Sequence, residues 1–409
     1  MKVLYLADLR SPIARAWVTM AVDAGIDVVA VSSRPGYRSL GVETFTAPLG
    51  LEALAQLGLA RVRGRGQRGS AGMQTTEVNS DRGRGRGSLN RLRGLNPLVA
   101  RAGSPYLSSI VRAQAPDVVH ALRIPLEAMA MARTRTGVPM VASVWGNDFT
   151  LHANRSVVFR RATRHAMTRV DGLHADCRRD IRLAEAWGFD GDLPTLVAPG
   201  SGGLPTVVDP DVTGVGLRRE LGIPNDAVVV VNPRGVREYV RIPQFLEGLE
   251  RVMGAEPNVH AILVGLQGHA PAREAIERMA HGGRIHLLQA LEPRRMEELF
   301  AASDVSVSLT THDGTPNTLL EAMRAGTFPV VSGLESIREW ITPGANGLMA
   351  DSEDVEQIAA ALLRAVRSPL LRAQAATVNK QLVRERADIE ATKKQLVPFY
   401  ETVCRRRMG

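Results

Sequence analysis

Short apolar runs alternate along this chain with segments in which apolar positions return every three or four residues. Val3–Ala7, Asp27–Val31, Asp117–His120, Met140–Val144, Gly172–Ala175 and Thr195–Val197 read as strands buried on both faces. Helical patterns fill the gaps, as in Pro12–Ala24, Pro125–Thr136 and Val157–Thr168. The stretch Pro199–Gly216 interrupts the rhythm with glycine, proline and aspartate, which marks a linker. The alternation resumes with Ala227–Val231, Val259–Val264, Arg284–Leu288, Val305–Leu309 and Phe328–Val331. From Asp354 the pattern is helical only, and Ala373–Arg405 is long and charged. Strands alternating with helices predict an α/β protein of two parallel-sheet, Rossmann-like domains. The expected division is 1–205, 206–372 and a helical tail 373–409. Such sheets bind ligands at the carboxyl ends of their strands, so a central cleft is the expected site.

Composition refines this picture at three points. A length of 409 residues exceeds one ordinary core, in keeping with two domains. MKVLYLADLR reads as a first buried strand and not a signal peptide, and no segment approaches the roughly 20 apolar residues that span a bilayer. Cys177 and Cys404 form no motif and suit a reducing, cytoplasmic setting.

The net charge of +9 would suggest a nucleic-acid partner if it were spread over the chain. Gln56–Pro105 instead holds ten arginines against two acids, which leaves +1 for all the rest. The basicity belongs to an Arg/Gly-rich insert at about 58–103, whose composition predicts a mobile loop. Such a loop suits anionic lipid headgroups, phosphate-bearing acceptors or RNA, or is a tolerated low-complexity insertion.

The chemistry concentrates in Thr311–Ser332, THDGTPNTLLEAMRAGTFPVVS. Thr315 is placed to cap a helix, Pro316 suits its first position, and Gly326 suits a left-handed stop before the strand Phe328–Val331. The free amides of Thr315, Pro316's neighbour Asn317 and Thr318, with the helix dipole, would attract a phosphate. Asp313, beside Gly314, and Glu321 would accept from hydroxyls. The plainer reading makes Asp313 a turn cap and Glu321 a solvated residue. Arginines 234, 237 and 241 follow the strand Ala227–Val231, and a planar guanidinium fork suits a diphosphate.

Asp313-Gly-Thr-Pro-Asn-Thr-Leu-Leu-Glu321-Ala-Met-Arg-Ala-Gly326 resembles the E-x7-E signature of the family 4 retaining glycosyltransferases of the GT-B fold. Trp145-Gly-Asn-Asp148 is similar to that family's WGSD or HGxD motif, and Ala198-Pro-Gly-Ser-Gly to its APGG turn. Ser336-Ile-Arg-Glu-Trp340 with Gly344-Ala-Asn-Gly347 matches a pattern after the signature, so the likeness covers most of the chain. The first acid departs from the pattern as Asp for Glu, and the insert has no counterpart.

The resemblance implies a nucleotide diphospho-sugar in the second domain and a glycan, lipid-linked or small-molecule acceptor in the first. It further implies retention by front-face attack, no cofactor and no metal, and terminal helices (373–409) packing back on the first domain. The implied catalytic set is His120, Asp148, Arg234 and Asp313. The donor set is Arg234, Arg237 or Arg241 (Arg237 slightly favoured), Gly265, Asp313, Gly314, Thr315, Pro316, Asn317, Thr318 and Glu321, with Asp313 on the sugar and Glu321 on the ribose. Val264–Gly268 and Leu287–Leu291 would border the base. His120 is equally a structural hydrogen-bonder, and Asp148 either orients the acceptor or orders its own loop. The competing readings are a GT-B nucleotide-sugar epimerase and an RNA-binding protein that uses the insert. The expected location is cytoplasmic, with peripheral contact to the inner membrane face as an option.

Overall fold

The computed structural model describes residues 1–51, 96–205 and 212–408. The expected mobile insert therefore falls largely outside the described residues. From its expected final turn onward the chain is helical, because Asn96–Gln114 forms a helix with Ala100, Leu107 and Val111 buried.

The described residues form two compact units, one from within Met1–Asp176, Asp180–Ser201 and Lys393–Gly409, the other from within Cys177–Arg179 and Gly202–Thr392. The first holds a parallel sheet of β1 (Lys2–Ala7), β2 (Asp27–Ser32), β3 (Glu43–Thr46), β4 (Val118–Ala121), β5 (Met140–Val144), β6 (Gly172–Ala175) and β7 (Thr195–Val197). Its spatial order is β3-β2-β1-β4-β5-β6-β7, so the winding direction reverses between β1 and β4. Val3, Leu4, Tyr5 and Leu6 of β1 are wholly buried, with helices on both faces of the sheet. Each such aliphatic side chain contributes about 1.5–3 kcal/mol by leaving water.

The last helix, Ile389–Met408, contributes Leu396, Tyr400 and Val403 to this unit's interior. A Cβ at Gly172 would lie 2.7 Å from Val403 Cγ2, so only glycine lets the helix seat on β6.

The second unit has β8 (Val228–Asn232), β9 (Val259–Val264), β10 (Ile285–Leu288), β11 (Val305–Ser308), β12 (Phe328–Ser332) and β13 (Leu348–Ala350). All pairings are parallel, in the order β10-β9-β8-β11-β12-β13, with the reversal between β8 and β11. Two apolar layers, one led by Phe245 and Leu249 and the other by Val229 and Ile262, cover its faces.

The expected return at 373 is later in the structure. The helix Pro369–Arg386 buries Ala375 and Val383 in the second unit. Its Asn379 exchanges bonds with Asn346, receiving one from Nδ2 at 2.8 Å and donating one to the backbone carbonyl at 2.9 Å. Only from Lys393 does the chain belong to the first unit. A second difference concerns 125–136, where a continuous helix is expected. The chain instead forms an irregular turn at Ile124–Ala128 and one helical turn at Met129–Met131.

Candidate functional site

In the second unit, the loops after β8 and β11 flank the point at which the sheet reverses, where open parallel sheets bind ligands. Arg234 lies in the first of these loops and Asp313 in the second. Arg234 Nη2 donates to Asp313 Oδ2 at 2.6 Å, and Nη1 donates to Thr318 Oγ1 at 3.4 Å. Arg234 Nε is buried with no partner among the described residues. Burial pushes the Asp313 carboxyl up, against the pull of Arg234, the Gly314 amide, Arg179 and Arg237.

The helix Asn317–Ala325 begins one residue later than the sequence suggests. Pro316 is extended (φ −68°, ψ 128°) and occupies the cap position, with no side-chain cap bond. Thr315 does not cap because its hydroxyl accepts from Trp340 Nε1 at 3.0 Å. The amides of Asn317 and Thr318 consequently have no protein acceptor among the described residues, and with the helix dipole they form an anion-facing end. Gly326 is left-handed at φ 92° and ends the helix as expected.

Glu321 is half-buried on this helix and makes no hydrogen bond or ion pair among the described residues. Burial pushes its carboxyl up to about 7, Arg324 pulling it down and Glu297 pushing it up. Arg324 is itself held by Glu297 at 2.6 Å. A cavity of about 550 Å³ opens beside Glu321, between Glu297, Arg324 and Lys380. Arg234 and Asp313 do not line it.

The remaining donor candidates divide. The Arg241 guanidinium is paired with Glu353 and donates to the Glu238 carbonyl at 2.8 Å, so it is already engaged. Arg237 is exposed, has no ion pair among the described residues, and contributes to the field at Asp313. Gly265 and Gly235 are both left-handed, at φ 75° and 63°, and a Cβ on Gly265 would lie 3.3 Å from Gly235 Cα. The turns after β8 and β9 thus touch at two glycines. The Gly265 amide donates to the Leu288 carbonyl at 2.8 Å, tying in the Leu287–Leu291 segment.

Three residues of this site carried no assigned role in the sequence. Arg179 Nη1 donates to the Asp313 carbonyl at 2.7 Å and to Ser336 Oγ at 3.1 Å, and Ser336 Oγ donates to the same carbonyl at 2.8 Å. Together with Trp340 they hold the 313–315 backbone. Ser336 and Trp340 were visible as letters of a pattern, whereas Arg179 gave no signal.

The first unit changes the reading of His120. It is wholly buried, with Nδ1 2.7 Å from Tyr400 Oη and Nε2 2.9 Å from Ser143 Oγ. His174 Nε2 lies 3.0 Å from the Ala198 carbonyl, which can only accept, so His174 carries its proton there. Its Nδ1 then accepts from Ser143 Oγ at 2.8 Å, and Ser143 accepts from His120 Nε2. His120 Nδ1 therefore accepts from Tyr400, which accepts from Tyr5 at 2.9 Å. This one-way chain uses both imidazoles in the neutral form; burial holds His120 well below its usual value and His174 at about 4. His120 joins the last helix to the sheet, and of its two expected roles this geometry supports the structural hydrogen-bonder.

Asp148 is 1% exposed and accepts from Arg123 Nε at 2.9 Å, the Ile124 amide at 3.2 Å and the Trp145 amide at 3.3 Å. Of its two expected roles, the geometry supports ordering of its own loop.

Two Rossmann-like sheets, the second bearing an anion-facing helix end beside an arginine–carboxylate pair, define a GT-B-type protein. Residues 228–368 match the family described as "Glycosyl transferases group 1", and residues 11–200 match the "Glycosyl transferase 4-like domain". The chain belongs to the GT-B glycosyltransferases.

It is 26% identical over 250 residues to a D-inositol 3-phosphate glycosyltransferase of Geodermatophilus obscurus, covering 57% of this chain and 55% of that one. It is 29% identical over 164 residues to the lipopolysaccharide core biosynthesis glycosyltransferase LpsE of Rhizobium meliloti, covering 39% and 45%. The chain thus spans about half the length of the curated relatives it matches. The fold is similar to that of Anabaena HepE in complex with UDP-glucose, with a TM-score of 0.68, 17% identity, and 97% and 98% of the two chains covered. Among the described residues, no helix is long and apolar enough to cross a membrane.

Proposed function

We propose that this protein transfers a sugar from a nucleotide diphospho-sugar to an acceptor hydroxyl, with retention and without a metal, in the building of a glycan or glycolipid. The observation that carries this reading is the Arg234–Asp313 pair set against the uncapped start of the helix Asn317–Ala325. Breaking the anomeric bond leaves negative charge on the departing phosphate. Arg234, Arg237 and the Asn317 and Thr318 amides supply donors there, and one preorganised donor is worth about 2.7–4 kcal/mol.

Asp313, fixed by its backbone carbonyl as well as its carboxylate, accepts from sugar hydroxyls. Glu321, with neither oxygen bonded among the described residues, accepts from the ribose diol. The first unit holds the acceptor, and the leaving phosphate takes the acceptor proton. The HepE structure with UDP-glucose supports a uridine donor as the first to try. Cys177 and Cys404 form no disulfide, in keeping with a reducing, cytoplasmic compartment.

The test is incubation of the full chain with UDP-, GDP- and ADP-sugars and a panel of hydroxyl acceptors, followed by NMR of the product's anomeric centre. Glycoside formation with the donor's configuration is expected. An inverted product overturns retention. A sugar epimerised without any acceptor overturns the transfer reaction.

A further inference from the structure

The helix Val157–Met167 of the first unit is capped by Ser156, whose Oγ accepts from the Phe159 amide at 3.2 Å. Its inner side buries Phe159, Ala162, Thr163, Ala166 and Met167. Its outer side exposes Arg160, Arg161 and Arg164. Arg169 is exposed just beyond the helix, and Arg133 stands near its last turn. Burial first, then Arg133 and Arg169, push the half-buried His165 imidazole down.

Nothing nearby neutralises these five arginines. The stretch Phe149–Val170 contains no acid. Of the acids at its two ends, Asp148 is bound to Arg123, and Asp171 to Arg407 and the Met140 amide. None of the five arginines has an ion pair among the described residues.

Helix stability does not explain the pattern. The helix dipole favours cations in the last turn, which accounts for Arg164 and disfavours Arg160 in the first. Arg164 follows Arg160 by four residues and Arg161 by three, spacings at which like charges repel across a helix surface. The fold therefore carries this charge at a cost, and anions laid along the helix relieve it. Arg164 is also braced, with its guanidinium 5.8 Å from the centre of the Trp187 ring and that ring stacked on Phe149. A side chain already held in place loses less freedom on binding.

The form of the face selects among polyanions. Arg160 and Arg164 stand about 6 Å apart along the axis, which suits a run of anions in place of a single one. Guanidinium forks match carboxylate and phosphate oxygens. Single-stranded RNA stacks its bases on exposed aromatic rings. The helix exposes none, and Trp187 lies under Arg164. A membrane surface takes up large apolar side chains, and Val157 is the only one the helix exposes.

We propose that this helix face docks a glycan chain bearing repeated acidic groups, with Arg160, Arg161 and Arg164 as its main contacts. That the chain is the acceptor rests on the transfer reaction proposed above; that it docks here does not.

The experiment is calorimetry of the full chain with galacturonate, its octamer, neutral dextran oligomers, poly(U) RNA and phosphatidylglycerol vesicles, alongside UDP on the same preparations. The octamer should bind at least tenfold more tightly than the monomer or dextran. The triple change Arg160→Gln, Arg161→Gln, Arg164→Gln should lose at least tenfold in octamer affinity, with UDP affinity and melting unchanged. The same three positions changed to Lys should keep part of the binding. Arg273→Gln, Arg278→Gln and Arg294→Gln together remove the same charge from the second unit and should leave octamer affinity within about twofold. Equal losses in the two Gln triples, or octamer binding no tighter than dextran, overturn the proposal. So does RNA or vesicle binding that is tighter than octamer binding and lost in the helix triple. Octamer binding without nucleotide binding leaves the docking face standing and removes the transfer reaction; nucleotide binding without octamer binding does the reverse.

Discussion

Arg234 and Asp313 meet at 2.6 Å, joining the loops that follow β8 and β11, with side chains only 13% and 17% exposed. A pair this sheltered braces the two loops, and in the proposed reaction it is also where the diphospho-sugar binds. A diphospho-sugar entering here would compete for the guanidinium or share it with the carboxylate.

Arg234→Ala leaves a buried carboxylate without its partner, a change that costs roughly 3–5 kcal/mol. It also removes a leaving-group donor, for which a loss of about 10²–10³ in turnover is expected. Arg234→Lys keeps the charge and should melt close to the wild type while still losing turnover. Thermal melts with sugar-transfer rates check this, and wild-type rates in Arg234→Ala would remove Arg234 from the chemistry.

Glu321 gives a pH signature with two opposite signs. Its folded value of about 7 lies above the unfolded carboxylate value near ~4.3. Its contribution to stability is therefore present below the unfolded value and is lost as pH rises through 7. Nucleotide affinity should move the other way, because the carboxylate is the form that accepts from a diol, and should increase through the same range. Glu321→Gln should flatten both curves. Affinity that falls as pH rises in the wild type would contradict the ribose assignment.

Gly265 tests the contact between the turns after β8 and β9. Gly265→Ala forces a side chain into φ 75° and within 3.3 Å of Gly235 Cα. A loss of about 1–2 kcal/mol is expected from the backbone conformation alone, with weaker nucleotide binding. Gly268→Ala, where nothing lies within 4 Å, is the control and should behave as wild type.

Tyr400→Phe tests the structural reading of His120. The hydroxyl it removes donates to His120 and accepts from Tyr5, so the change strands two buried polar groups at about 1–3 kcal/mol. Melting temperature should fall while nucleotide affinity holds. A loss of turnover with unchanged melting would return His120 to the reaction.

These outcomes follow how the sequence carries its information. The doubly wound sheets were legible because β1, β4, β5, β8 and β9 are apolar runs longer than any turn. β3 and β13 escaped notice, since three of the four residues of Glu43–Thr46 are polar and Leu348–Ala350 is a short run within a turn-rich stretch. The donor loops were legible because Arg234, Asp313 and Glu321 fall in two short stretches, where spacing alone places them near strand ends. Residues that act across the chain were not. His120 meets Tyr400 across 280 positions, and Thr315 loses its capping role to Trp340. The irregular turn at Ile124–Ala128 is equally silent in the sequence, where Pro125–Thr136 has an ordinary helical pattern.

The most direct measurement of the donor assignment is a titration of the full chain with UDP, GDP and ADP, read by calorimetry and thermal shift. At least one should bind, stabilising the fold by about 2.7 kcal/mol at 100 times its dissociation constant. Glu321→Ala should weaken that nucleotide by about tenfold or more. Binding of none of the three would contradict the assignment of the second unit as a nucleotide-sugar site.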